Sequence, residues 1–499
     1  MPSSLGENIR VLPKTKNSWC ICAYVRKNRK DTMKLEKAAD EFEREPVPPV
    51  AFKGLKSFLS IYAGEHVAGT EFMIGPLFVA SGVSAVDLLL GLLIGNLLAV
   101  ASWTFICAPA ATRTRMTLYY KLEQTCGPKL VALYNVANGV LFCILAGAMV
   151  SVSSTAFGVP LNLKMPALQD WLPNSAAWVG IVIVVGALFA VVAARGYNAM
   201  ARVAAIAVPW MALAFLACGV VTLPKLGVHS WKDFWDAAQT VIWKGGPPLP
   251  GQVKFTLWHV IFFAWACNAA THIGLVDMAI FRYARKWQYG AASAVGMFIG
   301  HYGAWVAASL LFALQLKEDP QNHTVAPGLM AYKAIGLAGL VCVVMAGWTT
   351  ANPTLYRAGL AFQGLWPGSS RFRLTLLAGL LATIGAIFPA LVMKLLSFVM
   401  LYGLILMPMG AVVFMDIFIL PKLGLQDDWA ARRKLSLNYA ALLSWMAALL
   451  FCGLLNQFGK VEIFFLAIPG WLVAAACYVA ASWHLQRKFV LQPQLNNQP

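Results

Sequence analysis

Charged residues are scarce in this chain, and acidic residues are scarcer than basic ones. Only 12% of the 499 residues are Asp, Glu, Lys or Arg, with 21 acidic against 39 basic residues, whereas 59% are hydrophobic. A soluble domain carries about 25% charged residues, because charged side chains cover its surface. The shortage of charge therefore excludes an ordinary soluble protein and predicts an integral membrane protein.

Patterns for enzymatic and nucleic-acid chemistry are missing as well. The ten cysteines lack the paired spacing of a zinc site, and the sequence has no Gly-rich phosphate loop and no nucleophile elbow. No basic stripe with interleaved aromatic residues lies outside the apolar segments, so the formal charge of +18 does not indicate nucleic-acid binding. We therefore predict a protein that is not an enzyme, has no cofactor and binds no nucleic acid.

Apolar runs long enough to cross a bilayer follow one another along most of the chain. We predict about twelve membrane-spanning helices, at residues 57–81, 85–107, 128–152, 176–194, 201–222, 255–281, 290–315, 328–350, 372–392, 395–420, 437–455 and 461–484.

The basic residues indicate the orientation of these spans. Arginine and lysine concentrate in alternate loops, for example at Arg357, Arg371 and Arg373 between the eighth and ninth spans. By the positive-inside rule such loops are cytoplasmic. This places the charged tail 1–56 and the tail 485–499 in the cytoplasm, and the protein in a plasma or inner membrane.

The first predicted span carries Glu65, His66 and Glu71 within an otherwise apolar run, with glycines beside them. A charged side chain costs about 2.5–3.5 kcal/mol at the centre of a bilayer, so these groups must face protein or water. The glycines permit the backbone to unwind here. We predict a discontinuous helix in which Glu65 binds the substrate or a proton and His66 hydrogen-bonds the substrate. The alternative is a structural pair that docks neighbouring spans.

The sixth predicted span has a similar polar centre, from Trp265 to His272. It comes five spans after the first, which is the arrangement of two repeats with inverted topology. We therefore predict an all-α fold of five plus five helices, with repeats at residues 57–222 and 255–420. Two peripheral spans would follow within residues 421–484.

Two pairs of residues three apart are further candidates for substrate binding. Trp265 and Asn268 share one helix face, where an indole and an amide suit a flat heterocycle. Asn135 and Asn138 repeat the spacing in the third span. Hydrogen bonding between helices explains that second pair equally well.

The eighth predicted span offers oxygen ligands for a small hard cation. The hydroxyls of Thr349 and Thr350 lie one turn after the carbonyl of Ala346. Carbonyls of an unwound first span, at Ala63 and His66, would complete such a site. The alternative is that the threonines hydrogen-bond to the backbone of their own helix.

Several motifs, taken in their order along the chain, resemble one family of membrane transporters. They are Gly91 to Asn96, Cys126-Gly127, Asp277-x4-Arg282-Tyr283, Thr349-Thr350-Ala351-Asn352, and Pro408 with Asp416. With these the sequence resembles the nucleobase:cation symporters, which are permeases of purines, cytosine, uracil, allantoin and hydantoins with the LeuT-type inverted-repeat fold.

The resemblance implies uptake coupled to sodium or protons by alternating access. It also implies that carbonyls of the first span join Ala346, Thr349 and Thr350 in a sodium site. Aromatic rings from the third and sixth spans would hold the base, and Trp265 fits the ring of the sixth span. The third span has no tryptophan and offers Tyr134 and Phe142 instead.

We therefore predict symport of a small nitrogenous heterocycle, such as a nucleobase, with Na⁺ or H⁺. Its partners would be this small-molecule substrate and the lipid bilayer. Glu65 and His66 are more polar than a neutral nucleobase requires, so an amine, amino acid or vitamin-like cation paired with Glu65 is the alternative substrate. A membrane-embedded enzyme using Glu65, His66 and His272 or His301 is a remote alternative.

Overall fold

The computed structural model describes residues 42–163, 165–166, 170–393 and 395–495, so most of the predicted tail 1–56 lies outside them. Its main helices are α1 Leu55–His66, α2 Glu71–Ala80, α3 Ala85–Thr114, α4 Leu118–Cys126, α5 Pro128–Gly158, α6 Ala176–Ala194, α7 Tyr197–Leu226, α8 Trp231–Ala237, α9 Leu257–Ala266, α10 Ala269–His272, α11 Met278–Phe281, α12 Trp287–Glu318, α13 Pro327–Ile335, α14 Leu337–Leu365, α15 Arg371–Ala386, α16 Leu395–Phe418, α17 Tyr439–Gln457 and α18 Ile463–Leu495.

The fold is helical, as predicted. Within the described residues, β pairing is limited to two isolated bridges, Lys53 with Ala284 and Ser84 with Lys244. Eight helices in this part of the chain are long and apolar enough to cross a bilayer, and the shorter α2 and α9 are apolar too. The all-α class is thus confirmed, while the count of twelve spans stays a prediction.

Both predicted helix interruptions are present. The first span divides into α1 and α2, and four residues from Val67 to Thr70 link the two halves. The sixth span divides into α9, α10 and α11, with breaks at Cys267–Asn268 and again before Asp277. Leu275, in the second break, has a positive φ of 65°, which ends regular helix at that point. Each break exposes backbone groups and polar side chains inside the helix bundle.

The eighth span begins and ends later than predicted. Residues 328–350 cover α13 and only the first half of α14, and Gly336 with a φ of 63° separates these two helices. Pro353 lies inside α14 without ending it. Arg357, which the charge pattern assigned to a cytoplasmic loop, is therefore buried in the last third of α14. An arginine is stable there because carboxylates from other helices pair with it.

Helix α14 lies at the centre of the fold. It packs against α5 along much of its length and also contacts α1, α6, α7 and α15. From Thr349 to Gln363 its side chains are buried without interruption. Close approach to α5 depends on Gly347, because a Cβ there would lie 1.9 Å from Oγ of Ser153. The helix that carries the predicted cation ligands is thus held firmly from several sides.

Candidate substrate and cation site

A cavity lies between the breaks in the first and sixth spans. It encloses about 800 Å³ of space not filled by atoms, part of it open to solvent. Its polar wall includes Glu65, His66, Thr70, Glu71, Cys267, Asn268, His301, Thr350 and Arg357. Its aromatic wall consists of Phe142, Phe263, Trp305 and Tyr402. Apolar rings with a few convergent polar groups are typical of a small-molecule site.

The carboxylate of Glu65 is bound by Arg357. Nη1 of Arg357 lies 2.5 Å from Oε1 of Glu65, and Nη2 lies 2.9 Å from Oε2. Both side chains are buried, at 1% exposed for Arg357 and 8% for Glu65. A bidentate pair of this kind is among the strongest charge-assisted hydrogen bonds. Arg357 therefore neutralises the charge of Glu65, and no cationic substrate is needed for this.

Asp277 shares the same guanidinium. Its Oδ1 accepts from Nη2 of Arg357 at 2.5 Å, and its Oδ2 accepts from the hydroxyl of Tyr62 at 2.6 Å and from Nε1 of Trp103 at 2.7 Å. Two carboxylates on one arginine form a buried cluster that joins α1, α3, α11 and α14. Removing Arg357 would leave both carboxylates buried without the cation that they share, which is costly.

Two π-helical stretches place rings beside the first break. Trp103 begins the stretch Trp103–Cys107 in α3, and His301 lies in the stretch Gly296–Ala304 of α12. The His66 ring centroid lies 5.5 Å from that of Trp103 and 4.9 Å from that of His301. Nε2 of His66 has no hydrogen-bond partner within the described part of the chain. Bulges of this type are frequent at functional sites, because they redirect side chains.

Glycine at position 300 makes this packing possible. A Cβ at Gly300 would lie 1.9 Å from the carbonyl oxygen of His66 and 2.4 Å from its carbonyl carbon. Helix α12 therefore meets the end of α1 backbone to backbone. The carbonyl of His66 faces Gly300 in this contact.

His301, which lines the cavity, and His272 of α10 both lie within hydrogen-bond distance of groups of the protein. Nε2 of His301 lies 3.4 Å from Nδ2 of Asn268, and Nε2 of His272 lies 3.0 Å from the carbonyl oxygen of Trp265. Across the described ranges, no group of three or more His, Cys, Asp or Glu side chains is placed to hold a metal ion.

Of the predicted pair in the sixth span, the structure brings only Asn268 to the cavity. The indole nitrogen of Trp265 donates to Oγ of Ser102 at 3.0 Å, and Trp265 is not among the described residues that line the cavity. The rings that face the space are Phe142 of α5, the third span, Phe263 of α9, in the sixth span, Trp305 of α12 and Tyr402 of α16. Phe142 was one of the two rings that the sequence offered in the third span.

The two asparagines of the third span lie behind the cavity wall. Asn138 donates to the hydroxyl of Tyr119 at 2.8 Å and accepts from the hydroxyl of Tyr402 at 3.1 Å. Because Tyr402 lines the cavity, Asn138 positions a wall residue without touching the space itself. Asn135 is buried against α14, where a Cβ at Gly364 would lie 2.1 Å from its Nδ2.

Oxygen atoms of the first and eighth spans lie close together at the predicted cation site. The hydroxyl of Thr350 lies 2.8 Å from the carbonyl oxygen of Glu65 and 2.9 Å from that of Ala346. The hydroxyl of Thr349 lies 3.3 Å from the same Ala346 oxygen and 3.1 Å from that of Met345. Both threonines thus also hydrogen-bond to the backbone of their own helix, which was the alternative. The structure thus brings together Ala346, Thr349 and Thr350. The first-span carbonyl that meets them is that of Glu65.

The two first-span carbonyls predicted from the sequence have other neighbours. The carbonyl oxygen of Ala63 accepts from the backbone nitrogen of Val67 at 3.0 Å, and that of His66 packs on Gly300. A donor set made only of hydroxyl and carbonyl oxygens fits a hard cation such as Na⁺.

Sequence reasoning missed Arg357 and Trp305 as cavity residues. A signal for Arg357 was present, since Thr350, Thr354 and Arg357 follow at i, i+4 and i+7 and so share one helix face. Trp305 lies four residues after His301 and therefore on the same face of its helix. The indole of Trp305 donates to the side chain of Glu71, which the sequence did single out.

Two interrupted helices that meet at a polar cavity inside an apolar bundle define a membrane transporter with inverted repeats. Comparison with known proteins agrees. No family model matches the chain. The chain is 25% identical over 414 residues to the cytosine permease of Escherichia coli (strain K12). The aligned region covers 81% of this chain and 87% of the permease.

Two solved structures share the fold. One is Mhp1, a nucleobase-cation-symport-1 family transporter in a closed conformation with bromovinylhydantoin bound, with a TM-score of 0.68, 16% identity, and coverage of 90% of this chain and 96% of Mhp1. The other is a Na⁺-coupled sialic acid symporter in an outward-open state, with a TM-score of 0.63, 15% identity, and coverage of 89% and 92%.

These likenesses confirm the resemblance found in the sequence, to the nucleobase:cation symporters with the LeuT-type fold. The chain is an integral membrane transporter and not an enzyme.

Proposed function

We propose that this protein is a secondary active transporter that carries a nucleobase together with Na⁺ or H⁺ by alternating access. The likeness to a cytosine permease and to a nucleobase-cation symporter supports this class of substrate. The observation that carries the proposal is the cavity between the two helix breaks, with aromatic walls and with Glu65 already paired to Arg357. Such a cavity favours a flat, uncharged heterocycle.

The flat faces of a base would lie against the rings of Phe142 and Trp305, which come from α5 and α12. Asn268, at the break of the sixth span, would supply a polar contact to the edge of the base. The alternative substrate, an amine or amino acid held by the charge of Glu65, loses its main support because Arg357 occupies that carboxylate.

For the coupling cation, the oxygens of Glu65 (main chain), Ala346, Thr349 and Thr350 are the proposed ligands of Na⁺. They join α1 to α14, and a cation between them would stabilise the contact of these two helices. The carbonyls of Ala63 and His66 stay candidates from the sequence.

For the topology of the chain, we propose that both termini are cytoplasmic and that residues 57–222 and 255–420 form the two repeats.

A thermal-shift screen of the purified protein tests the function. Ligands that bind the native state stabilise it, by about 2.7 kcal/mol at a concentration of 100 Kd. We expect nucleobases to raise the melting temperature, and Na⁺ to raise it further in the wild type and in Thr350→Ser. Thr350→Ala, which lacks the hydroxyl, should lose the effect of Na⁺. Stabilisation by amines or amino acids alone would contradict the proposal.

A further inference from the structure

Glu71 is a second buried carboxyl group of the cavity, and its surroundings differ from those of Glu65. It lies at the start of α2 on the cavity wall and is only 2% exposed. Trp305 donates its indole N–H to Oε2 of Glu71 and is the one side chain in the described part of the molecule that hydrogen-bonds it. The group thus faces the substrate space with one oxygen already engaged.

In the part of the chain that the structure describes, Glu71 has no ion pair. Among the described residues, no Lys, Arg or His nitrogen lies within 4.0 Å of its carboxyl oxygens, whereas Arg357 binds Glu65 at 2.5 Å. A carboxylate that is buried without a cation loses most of its hydration energy, and such groups become neutral by binding a proton. Glu71 is therefore the carboxyl of the cavity whose charge is free to change.

The other titratable groups that line the cavity come from five elements. They are Glu65 and His66 of α1, Cys267 after α9, His301 of α12, Arg357 of α14 and Tyr402 of α16. Helix α13 also packs against α2, but its charged residue Lys333 is exposed. Of these groups, His301 stacks on the same indole that donates to Glu71, with ring centroids 4.2 Å apart.

We propose that Glu71 carries a proton in the substrate-bound state and recognises the hydrogen-bonding edge of the base. Because Trp305 donates to Oε2, that oxygen acts as the acceptor and Oε1 carries the proton. A protonated carboxyl group then offers one donor beside one acceptor. This pattern matches an uncharged heterocycle with an acceptor next to a donor, as in an amino-substituted pyrimidine or a lactam.

This inference rests on the proposed function and adds that binding of the base and of one proton are linked. The proton stays on Glu71 and hydrogen-bonds the base, so no covalent bond forms or breaks. An ionised Glu71 would instead present two acceptors, which a donor–acceptor edge does not match. The affinity for such a base should therefore fall as Glu71 loses its proton.

Binding of cytosine to the purified full-length protein, measured by calorimetry at saturating Na⁺ over a pH series, tests this linkage. For the wild type, Kd should rise about tenfold per pH unit above the midpoint, since one proton is linked to binding. Calorimetry in buffers of different ionisation enthalpy should show uptake of about one proton in that range. Glu71→Gln, whose amide also offers a donor beside an acceptor, should bind cytosine with no pH dependence and no proton uptake.

Three further variants sharpen the result. Glu71→Ala should weaken binding about tenfold, because the hydrogen bonds to the base are lost. Trp305→Phe keeps a ring but removes the N–H that favours ionised Glu71. In this variant, the pH above which the Kd for cytosine begins to rise should therefore be higher than in the wild type. Asp236→Asn, an exposed acidic position in α8, should behave like the wild type.

A pH dependence that survives in Glu71→Gln would belong to another group, such as His301 or His66, and would overturn the inference. So would cytosine binding to the wild type with constant affinity and no proton uptake, although the proposed transport of nucleobases would then still stand. If no nucleobase binds the wild type at any pH, the proposed function itself fails. If Glu71→Gln does not fold, the wild-type proton count and the shift in Trp305→Phe decide the matter.

Discussion

The hydroxyl of Thr350 donates to the backbone carbonyl of Glu65 at 2.8 Å. The side chain of the same glutamate binds Arg357, two turns further along α14. Helix α14 thus binds both the backbone and the side chain of Glu65, which lies in the interrupted first span. Because Thr350 is a proposed cation ligand and Arg357 lines the cavity, the contact between α1 and α14 links the cation site to the substrate space.

Removing the charge of Arg357 should destabilise the protein strongly. In Arg357→Gln, the carboxylates of Glu65 and Asp277 lose their common cation, and breaking a buried ion pair on one side costs about 3–5 kcal/mol. The loss is measured as a fall in melting temperature in detergent.

Two companion variants control this experiment. Arg432→Gln breaks an exposed pair with Asp427 and should cost about 0–1 kcal/mol. The double variant Arg357→Gln, Glu65→Gln removes one positive and one negative charge and should recover part of the stability. Equal melting temperatures for the wild type and Arg357→Gln would show that the cluster does not form.

A methyl group at Gly300 should separate α12 from the end of α1. Gly300→Ala would place a Cβ 1.9 Å from the carbonyl oxygen of His66, and overpacking of this kind typically costs about 1–3 kcal/mol. We expect a lower melting temperature and lost binding of nucleobases. Gly303→Ala, one turn along the same helix, is the matched control, because among the described residues its Cβ would meet only the carbonyl oxygen of Phe298, at 3.3 Å. Equal effects of the two substitutions would contradict this packing.

Much of the fold follows from local signals in the sequence. Glycines and costly polar groups marked the break in the first span, and the polar centre of the sixth span marked its counterpart, because both features need an unwound backbone. The boundaries of α14 were harder to predict. Pro353 is a signal of a helix end, and Arg357 is a signal of a loop. Only the tertiary pairing of Arg357 with Glu65 and Asp277 overrides these signals.

The site was predictable where one helix supplies the pattern and less so where several helices meet. Ala346, Thr349 and Thr350 share a face of α14 and do converge. Which carbonyl of the first span meets them depends on the turn at which α1 ends, and local spacing does not determine this. In the same way, Trp265 turns toward Ser102, because neighbouring helices decide which ring faces the cavity.

Substitution of the two aromatic candidates should therefore have different effects. Trp265→Phe removes a hydrogen bond to Ser102 outside the cavity and should leave the Kd for a nucleobase nearly unchanged. Phe142→Leu removes a ring from the cavity wall and should weaken binding about tenfold, as expected for the loss of an aromatic contact. Calorimetric titration of both variants measures the difference. A larger loss of affinity in Trp265→Phe would indicate that the indole of Trp265 contacts the substrate after all.

Uptake of radiolabelled cytosine into proteoliposomes, with a Na⁺ or a proton gradient imposed across the membrane, tests cation-coupled nucleobase transport most directly. We expect an inward cation gradient to drive accumulation above equilibrium in the wild type. If Na⁺ is the coupling ion, Thr350→Ser should retain this accumulation and Thr350→Ala should lose it. Cytosine uptake that is absent, or that never exceeds equilibrium under either gradient, would contradict the account.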